Sequence, residues 1–252
     1  MPPIVLLTDF GHQDGFVGIM KGVIHGISPD CPVIDLSHEI PPQNVSAAAF
    51  VLWNSYLHFP PETLFVCVVD PGVGSERDIL AVRTKSYRFL VPDNGVMDYI
   101  LSESIVKSML RVENPKLLTG NISQTFHGRD IFAPVAAHWQ KGFPYTQIGP
   151  LHRYSIPDSP FVESEGQRSV TGNIIYQDHF GNLISNIRLA PSQNGQVQFD
   201  GRNIPLVSAY AAVQPGELLA IAGSHGLLEI AVRNGRAVDV VGRENNITLE
   251  LN

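Results

Sequence analysis

The chain has 252 residues, of which 44% are hydrophobic and 16% are charged, enough for one large domain or two smaller ones. A formal net charge of −7 with scattered basic residues argues against a nucleic-acid partner or an anionic membrane surface. No apolar run is long enough to span a bilayer, and the amino terminus lacks a signal-type stretch. Cys31 and Cys67 lie far apart, so we expect no metal pair and a reducing, cytoplasmic setting.

The first seventy residues predict alternating strands and helices. Strands are expected at 4–11, 32–38 and 63–69, where apolar runs end at Gly, Pro or Asp. Apolar residues at three- and four-residue steps predict a helix between 16 and 27, with Phe16, Ile19 and Met20 on its stripe. A second helix runs through 47–59, and Asn44 can cap it. This order is typical of a parallel sheet with crossover helices.

The pattern then changes to a hairpin, predicted at 79–83 and 87–91. A helix at 96–102, a strand near 109–112 and an amphipathic helix follow, the last with its apolar residues on one face. We therefore predict an α/β domain over 1–150, with a largely parallel or mixed sheet and flanking helices.

Residues 151–168 are rich in Pro, Ser and Glu without periodicity, which is typical of a linker. Beyond it the apolar period is two, and short strands are separated by Gly and Asn turns. We expect strands at 170–176, 183–187, 196–199, 217–222, 227–232 and 247–251. Residues 169–252 thus predict a small, all-β, antiparallel and barrel-like domain.

Acidic residues stand at the ends of predicted strands, where open α/β sheets bind ligands. Asp70 follows a buried strand, Pro71 ends the hydrogen-bond ladder, and Arg77 lies within one loop's reach. We interpret this loop as the reactive wall of an active site. Asp9 ends the first strand and suits the two hydroxyls of a ribose. Asp93 is explained equally well as an ordinary turn residue.

The segment from Thr125 to Asp130 precedes a predicted helix, and Asp130 there is favourable through the helix dipole alone. A lone histidine such as His127 is usually structural. Beside Asp70 and Arg77 it would complete a cluster of the kind that has perturbed pKa values, but spacing does not establish that contact. Candidate metal ligands in loops, including His12 and His38, lack metal-site spacing, so we expect no metal.

Two polar turns mark the second domain. The first, Asp178 to Asn182, is explained by hairpin geometry alone. The second, Gly223 to Gly226, leads into an apolar strand interrupted by Glu229. A glutamate buried there without a partner would cost stability, and an exposed edge position is the simpler explanation.

Six segments, taken together, carry a family resemblance. The chain resembles the S-adenosylmethionine hydroxide adenosyltransferases, relatives of the fluorinase and chlorinase. The segments occur in the family's order and span both domains: Thr8 to Gly11, Asp70 to Gly74, Pro92 to Gly95, Thr125 to Asp130, Asp178 to Asn182, and Gly223 to His225.

The resemblance implies an α/β domain, a small β domain and a homotrimer that holds substrate between neighbouring subunits. It implies hydroxide attack on the ribose C5′ of S-adenosyl-L-methionine, giving adenosine and L-methionine without a cofactor. Asp70, Arg77 and His127 match the family's catalytic set. Halogenases have Tyr in place of Asp70, and the fluorinase has Ser in place of Gly128 and a long insertion after Arg77.

Further positions match the family's substrate contacts: Asp9 for the ribose; Asp14 and Asp178 for the methionine ammonium; Ser224 for its carboxylate; Asn182 and the backbone near Val232 for adenine; Phe180 and Tyr210 packing on the base; and His225 and Glu229 as further pocket members. Asp14 is as well explained by capping the first helix. Gln43 stands where the fluorinase has Trp, which puts contacts there in doubt. A chloride-using transferase and a non-catalytic S-adenosylmethionine or adenosine binder are the alternatives.

Overall fold

The computed structural model describes residues 1–118, 120–189, 195–242 and 245–251. The chain divides into two compact units, Met1–Asp158 and Ser159–Asn252. Both of the units have their own hydrophobic core. Within the described residues, no helix is long and apolar enough to cross a membrane.

The first unit is an α/β structure around a six-stranded mixed sheet. Its elements are β1 (Ile4–Thr8), α1 (Phe16–Ile27), β2 (Val33–Ser37), α2 (Val45–Ser55), β3 (Leu64–Val68), β4 (Ile79–Thr84), β5 (Arg88–Pro92), α3 (Asp98–Leu101), β6 (Val106–Arg111) and α4 (Ala133–Gln140). The strand order is β2-β1-β3-β5-β4-β6, with β4 antiparallel to β5 and β6 and the other pairs parallel. The mixed sheet is thus confirmed.

The strand order places a switch point between β1 and β3. The chain leaves β1 for β2 on one side and returns to β3 on the other, so the two crossovers diverge at this edge. Thr8 is in register with Val68, which brings the loops that begin at Asp9 and Asp70 to the same end of the sheet. Ligands of open α/β sheets bind in the crevice at such a point.

Two helices differ from the sequence pattern. On α1, Val17, Met20 and Ile24 are buried, whereas Phe16 and Ile19 are exposed by 41% and 45%. The predicted stripe is therefore rotated, because periodicity alone does not separate core positions from others. α4 packs against α1, β1 and β3 and is buried nearly all round, so the expected single apolar face is wrong.

The helix boundaries follow local chemistry. α2 begins after Asn44, whose side chain accepts the Ala47 backbone N–H at 2.9 Å, as predicted. It ends at Ser55, and a 3₁₀ turn over Tyr56–His58 completes the apolar segment. α4 is preceded by one π-helical turn, Gly128–Phe132, and such turns are frequent at functional sites.

The second unit is a closed β-barrel. Its strands are β7 (Val162–Glu163), β8 (Ser169–Gln177), β9 (Leu183–Arg188), β10 (Gly195–Phe199), β11 (Arg202–Val207), β12 (Leu218–Ala222), β13 (Leu227–Val232) and β14 (Asn246–Leu251). They follow the order β13-β12-β11-β10-β14-β8-β9-β7, and β13 pairs with β9 to close the barrel.

The barrel differs from the predicted antiparallel domain in two pairs. β11 runs parallel to β12, and β7, within the segment expected as a linker, runs parallel to β9. β11 lies outside the predicted strands, and it carries Pro205, a residue that ordinarily argues against an inner strand. The all-β class is nevertheless observed.

Side chains of β13 alternate between two hydrophobic clusters. Leu228, Ile230 and Val232 belong to the main barrel core. Ala231 packs with Leu219 and Ile221 in a small separate cluster on the other face of the strands, covered by Val207 and Val213. The segment before β12 therefore lies over the outside of the barrel wall.

Candidate active site

The loop after β3 is a tight turn that brings Arg77 back onto Asp70. The Asp70 carbonyl accepts the N–H of Val73 at 3.1 Å, and the Gly72 carbonyl accepts the N–H of Ser75 at 3.0 Å. Gly74 has φ of +79°, and a Cβ there would lie 2.5 Å from the Gln124 carbonyl oxygen. Only glycine lets this loop pack so closely on the loop that leads to His127.

Asp70, Arg77 and His127 contact one another. Arg77 Nε donates to both carboxylate oxygens of Asp70, at 2.8 and 2.7 Å, and its Nη2 also donates to Oδ2. Nη2 lies 2.8 Å from His127 Nδ1. The side chains of Asp70 and Arg77 are only 4% and 11% exposed. The structure therefore brings His127 next to Arg77 and Asp70, a contact that sequence spacing alone did not establish.

The arginine contact defines the state of His127. A guanidinium can only donate hydrogen bonds, so Nδ1 must be the acceptor and the neutral ring carries its proton on Nε2. Burial, and then the adjacent Arg77 charge, lower the pKa of His127 below its ordinary value of 6.5. His127 is therefore neutral at pH 7, with Nε2–H available as a donor.

A cavity of about 350 Å³ opens beside these groups. Its polar lining includes Asp9, Gln43, Asp70 and His127. Three phenylalanines line it as well, and their rings pack edge-on or tilted with centroids 5.1–6.0 Å apart: Phe10, Phe16 and Phe126. This aromatic wall has no clear signal in the sequence, because Phe16 fits a core stripe and the other two phenylalanines lie within polar motifs.

Gly128 fits closely behind the aromatic wall. A Cβ at Gly128 would lie 3.1 Å from Met20 Sδ, 3.2 Å from the Phe126 ring and 3.3 Å from the Phe10 ring. These distances are shorter than ordinary van der Waals contacts. A side chain here would require Met20 or one of the two aromatic rings to shift.

Asp9 is held by a strained neighbour. Its Oδ2 accepts the backbone N–H of Gln43 at 2.7 Å, while Gln43 adopts φ of +63°, an uncommon angle for a residue with a side chain. Such angles cluster at functional sites. Oδ2 is thus committed to the loop, which leaves Oδ1 as the freer acceptor.

His38 supports the turn after β1 that carries Asp9. It is buried, its carbonyl accepts the Gly11 N–H at 2.8 Å, and its Nδ1 lies 2.8 Å from Thr8 Oγ1. Its Nε2 lies 3.0 Å from Asp35 Oδ1. His38 therefore anchors both sides of the turn that carries Asp9, a role for which its sequence position offered no signal.

Asn94 and Asp130 support the two reactive loops. Asn94 donates its side-chain amide to the Val69 carbonyl at 2.9 Å, next to Asp70. Asp130 is 2% exposed and accepts the Ser123 N–H at 2.8 Å as well as two bonds from Arg129. Asn94 thus holds a turn together, whereas Asp130 lies in the first turn of the π-helical segment, which has no side-chain cap, and its carboxylate ties down Ser123 of the preceding loop.

Asp93 has a different partner. His152 lies between it and Asp78, with nitrogen–oxygen distances of 3.6 Å to Asp93 and 3.4 Å to Asp78. The ligand atoms of these three residues lie within 4.8 Å of one another. None of them lines the cavity beside Asp70.

The barrel unit has a cavity of about 760 Å³ lined by four of the predicted substrate positions, Phe180, Asn182, Tyr210 and Val232. Phe180 and Tyr210 expose 71% and 45% of their surface. Exposed aromatic rings beside backbone polar groups suit a flat heteroaromatic ligand.

The remaining predicted positions lie outside the two cavities. Asp14 is exposed on the turn before α1, and the N-cap of this helix is Gly15 without a side-chain hydrogen bond, so the capping explanation for Asp14 is wrong. Asp178 accepts the Asn182 backbone N–H at 2.8 Å and its side-chain amide at 2.9 Å, which is the hairpin explanation. Ser224 is exposed on its turn, and His225 is largely buried behind it.

Glu229 contradicts one expectation. It is 5% exposed and lies on a strand paired on both sides, so the exposed-edge explanation is wrong. A carboxylate in this position needs partners, and Tyr210 Oη donates to its Oε1 at 2.5 Å.

Comparison with known proteins agrees with this geometry. Residues 4–149 match the family model described as the SAM hydroxide adenosyltransferase N-terminal domain, and residues 172–248 match its C-terminal domain. The chain belongs to the SAM hydroxide adenosyltransferase family. Membership covers both units, as the six motifs indicated.

The relatives of this chain match it along most or all of its length. An (R)-S-adenosyl-L-methionine hydrolase of Thermus thermophilus is 34% identical over all of both chains. A fluorinase of an Actinoplanes strain is 25% identical, covering 91% of this chain and 90% of its own. The crystal structure of an uncharacterized conserved protein from Thermotoga maritima superimposes with a TM-score of 0.88 at 36% identity, covering 98% and 99% of the two chains.

Proposed function

We propose that this protein hydrolyses S-adenosyl-L-methionine to adenosine and L-methionine by attack of water, as hydroxide, on the ribose C5′. The observation that carries the proposal is the contact set of Asp70, Arg77 and His127 at the edge of a cavity that Asp9 also lines. The hydrolase relative and the family membership support the same substrate class.

The reaction balances without a redox or metal cofactor. Water forms the new C5′–O bond and loses one proton, while the C5′–S bond breaks and its electron pair returns to sulfur. The leaving group is then a neutral thioether, which needs no general acid. The difficulty lies in the nucleophile, because bulk water has a pKa of about 15.7.

Asp70 is the base or orienting acceptor in this proposal. The Arg77 guanidinium only donates hydrogen bonds and is no base, but its positive charge offsets that of the incipient hydroxide. His127 presents Nε2–H, since its Nδ1 already accepts from Arg77, so it donates a hydrogen bond to the water oxygen rather than taking its proton. Of the three, only Asp70 is poised to accept, and general-base assistance contributes about 10²- to 10⁴-fold.

Substrate binding completes the proposal. Asp9 Oδ1 accepts from a ribose hydroxyl in the first cavity. Phe180, Asn182 and Tyr210 hold adenine in the barrel cavity, with the backbone near Val232. Asp14 and Asp178 bind the ammonium group of the methionine moiety. Ser224, with His225 beside it, binds its carboxylate.

We propose, from the resemblance, that the chain acts as a homotrimer in which the barrel of a neighbouring copy completes each site. A molar mass near three chains in light scattering is the expected result. A monomeric protein with full activity contradicts this assembly.

The direct test is a chromatographic assay for adenosine and methionine from S-adenosyl-L-methionine. Both sulfonium epimers are supplied separately, because the hydrolase relative carries the (R) epimer in its name. The proposal predicts equimolar adenosine and methionine, and loss of both in Asp70→Asn. If the wild-type protein binds the substrate without turning it over, the proposed hydrolysis is contradicted and the chain is a non-catalytic binding protein.

Halide transfer is disfavoured by Asp70. A carboxylate beside the nucleophile position repels an anion, and the halogenases carry Tyr there. Incubation with S-adenosyl-L-methionine and chloride is therefore expected to yield adenosine and no chlorinated nucleoside. A chlorinated product contradicts the assignment of Asp70.

A further inference from the structure

We infer that Glu229 is a positioning residue of the barrel unit, which holds Tyr210 and the Gly223 to Gly226 turn in place for substrate without touching it. The inference rests on the proposed function, since it concerns how the barrel cavity binds adenine. It replaces the expectation that Glu229 is itself a pocket member.

The first argument is burial. Glu229 lies in the middle of β13, opposite Ile221 of β12 and Ile184 of β9. By strand alternation it shares the outer face of the barrel with Ala231, under the segment that carries Val213. Glu229 is only 5% exposed and lies among apolar side chains. A carboxylate in such a place destabilises the fold unless other groups donate hydrogen bonds to it.

The second argument is the contact with Tyr210. Its Oη donates to Glu229 Oε1 at 2.5 Å, a charge-assisted bond that fixes both side-chain torsions of the tyrosine. Burial, and then Glu229, raise the pKa of Tyr210, so the hydroxyl remains a donor. The residue Tyr210 is nevertheless 45% exposed and lines the barrel cavity, whereas Glu229 does not line it. The carboxylate thus anchors the hydroxyl of a tyrosine that is only half-buried.

The third argument is the neighbouring turn. His225 Nδ1 accepts the Leu227 N–H at 3.1 Å, so its proton is on Nε2, which lies 3.7 Å from Glu229 Oε2. A Cβ on Gly223 would lie 2.4 Å from the His225 ring and 3.0 Å from Glu229 Oε2, so the turn's backbone packs directly on this pair. One carboxylate therefore supports both Tyr210 and the turn that carries Ser224.

The test combines steady-state kinetics with a readout that needs no substrate. The variants are Glu229→Leu, Glu229→Gln, Tyr210→Phe and the Leu/Phe double variant. Glu250→Gln on β14 is the matched control, since this barrel glutamate contacts Gln196 and Gln198 instead. Tyr210 is followed by ¹³C NMR of ring-labelled tyrosine, its signal assigned by its loss in Tyr210→Phe.

We expect Glu229→Leu and Tyr210→Phe each to raise KM about tenfold and to change kcat less than threefold. The double variant should be no worse than either single one, because both changes remove the same contact. Glu229→Gln keeps an acceptor for Tyr210 and should recover most of the affinity. Glu229→Leu, but not Glu250→Gln, should shift the Tyr210 signal.

Two results overturn the inference alone, provided that the wild-type protein turns over substrate. The first is a KM of Glu229→Leu within twofold of the wild-type KM. The second is a KM increase in the double variant that equals the product of the two single-variant increases. Absence of turnover by the wild type overturns the proposed function instead. In that case the Tyr210 signal still decides whether Glu229 holds the ring, and an unchanged signal in Glu229→Leu overturns the inference.

Discussion

Replacing Arg77 by lysine separates charge from geometry at the proposed site. The guanidinium fork contacts both oxygens of Asp70 and Nδ1 of His127 at once. A lysine ammonium keeps the positive charge, but it is compact and sits on a flexible side chain. It cannot make all of the contacts that the planar guanidinium makes at once. Arg77→Lys therefore leaves Asp70 paired while releasing His127.

The magnitude follows from the hydrogen bonds that a lysine cannot make. A hydrogen bond to a charged group contributes about 1.5–3 kcal/mol, and preorganised donors at a site of developing charge contribute about 10²- to 10³-fold in rate. We expect kcat to fall about 10²-fold, which corresponds to about 2.7 kcal/mol of barrier. Stability should fall by only about 1–2 kcal/mol, or about 2–8 °C in Tm at roughly 2–4 °C per kcal/mol. Arg77→Ala should cost about 3–5 kcal/mol, because it leaves a buried carboxylate unpaired.

The assay is initial-rate formation of adenosine at saturating substrate, with Tm measured on the same samples. Arg88→Lys is the matched control, because Arg88 pairs with Glu62 at the opposite, amino-terminal end of the parallel strands β3 and β5. It should lose stability and keep kcat. A wild-type kcat in Arg77→Lys, or an equal loss of kcat in Arg88→Lys, would show that the geometry of the Arg77 guanidinium does not support catalysis.

Three further predictions concern the same cavity. Since the pKa of His127 is lowered, its neutral form persists below pH 6.5. The value of kcat/KM measured across pH should therefore be flat at pH 7–8 and fall only on the acid side, and His127→Asn should lack the part of this fall that is due to the imidazole. Gly128→Ala should lower kcat/KM about tenfold and stability by about 1–3 kcal/mol through overpacking, whereas Gly26→Ala, with open space around its Cβ, should stabilise α1 by about 0.5–1 kcal/mol in thermal melts. Asp9→Asn should raise KM about tenfold, or about 1.4 kcal/mol, with a smaller effect on kcat, and an unaltered KM contradicts the ribose contact.

The strand ends could be predicted from the sequence because they depend on local chemistry. Asp9 and Asp70 follow short apolar runs, and parallel neighbours bring such ends to one edge of a sheet. The Asp70–Arg77 contact lies within a single loop and was also predictable. The motifs then identified the family, which no single segment could have done.

Contacts between loops could not be predicted in the same way. The approach of His127 to Arg77 depends on Gly74 packing against Gln124, a backbone contact across fifty residues of sequence. Phe16 was assigned to the core because helical periodicity does not distinguish a core from a cavity wall. Glu229 was assigned to an edge because the closure of β13 on β9 is a long-range pairing without a local signal.

The most direct test of the central claim, attack by water on C5′, is hydrolysis in ¹⁸O-labelled water followed by mass spectrometry of both products. Attack on C5′ places one ¹⁸O at the 5′-oxygen of adenosine and none in methionine. Adenosine that is formed without the label contradicts it.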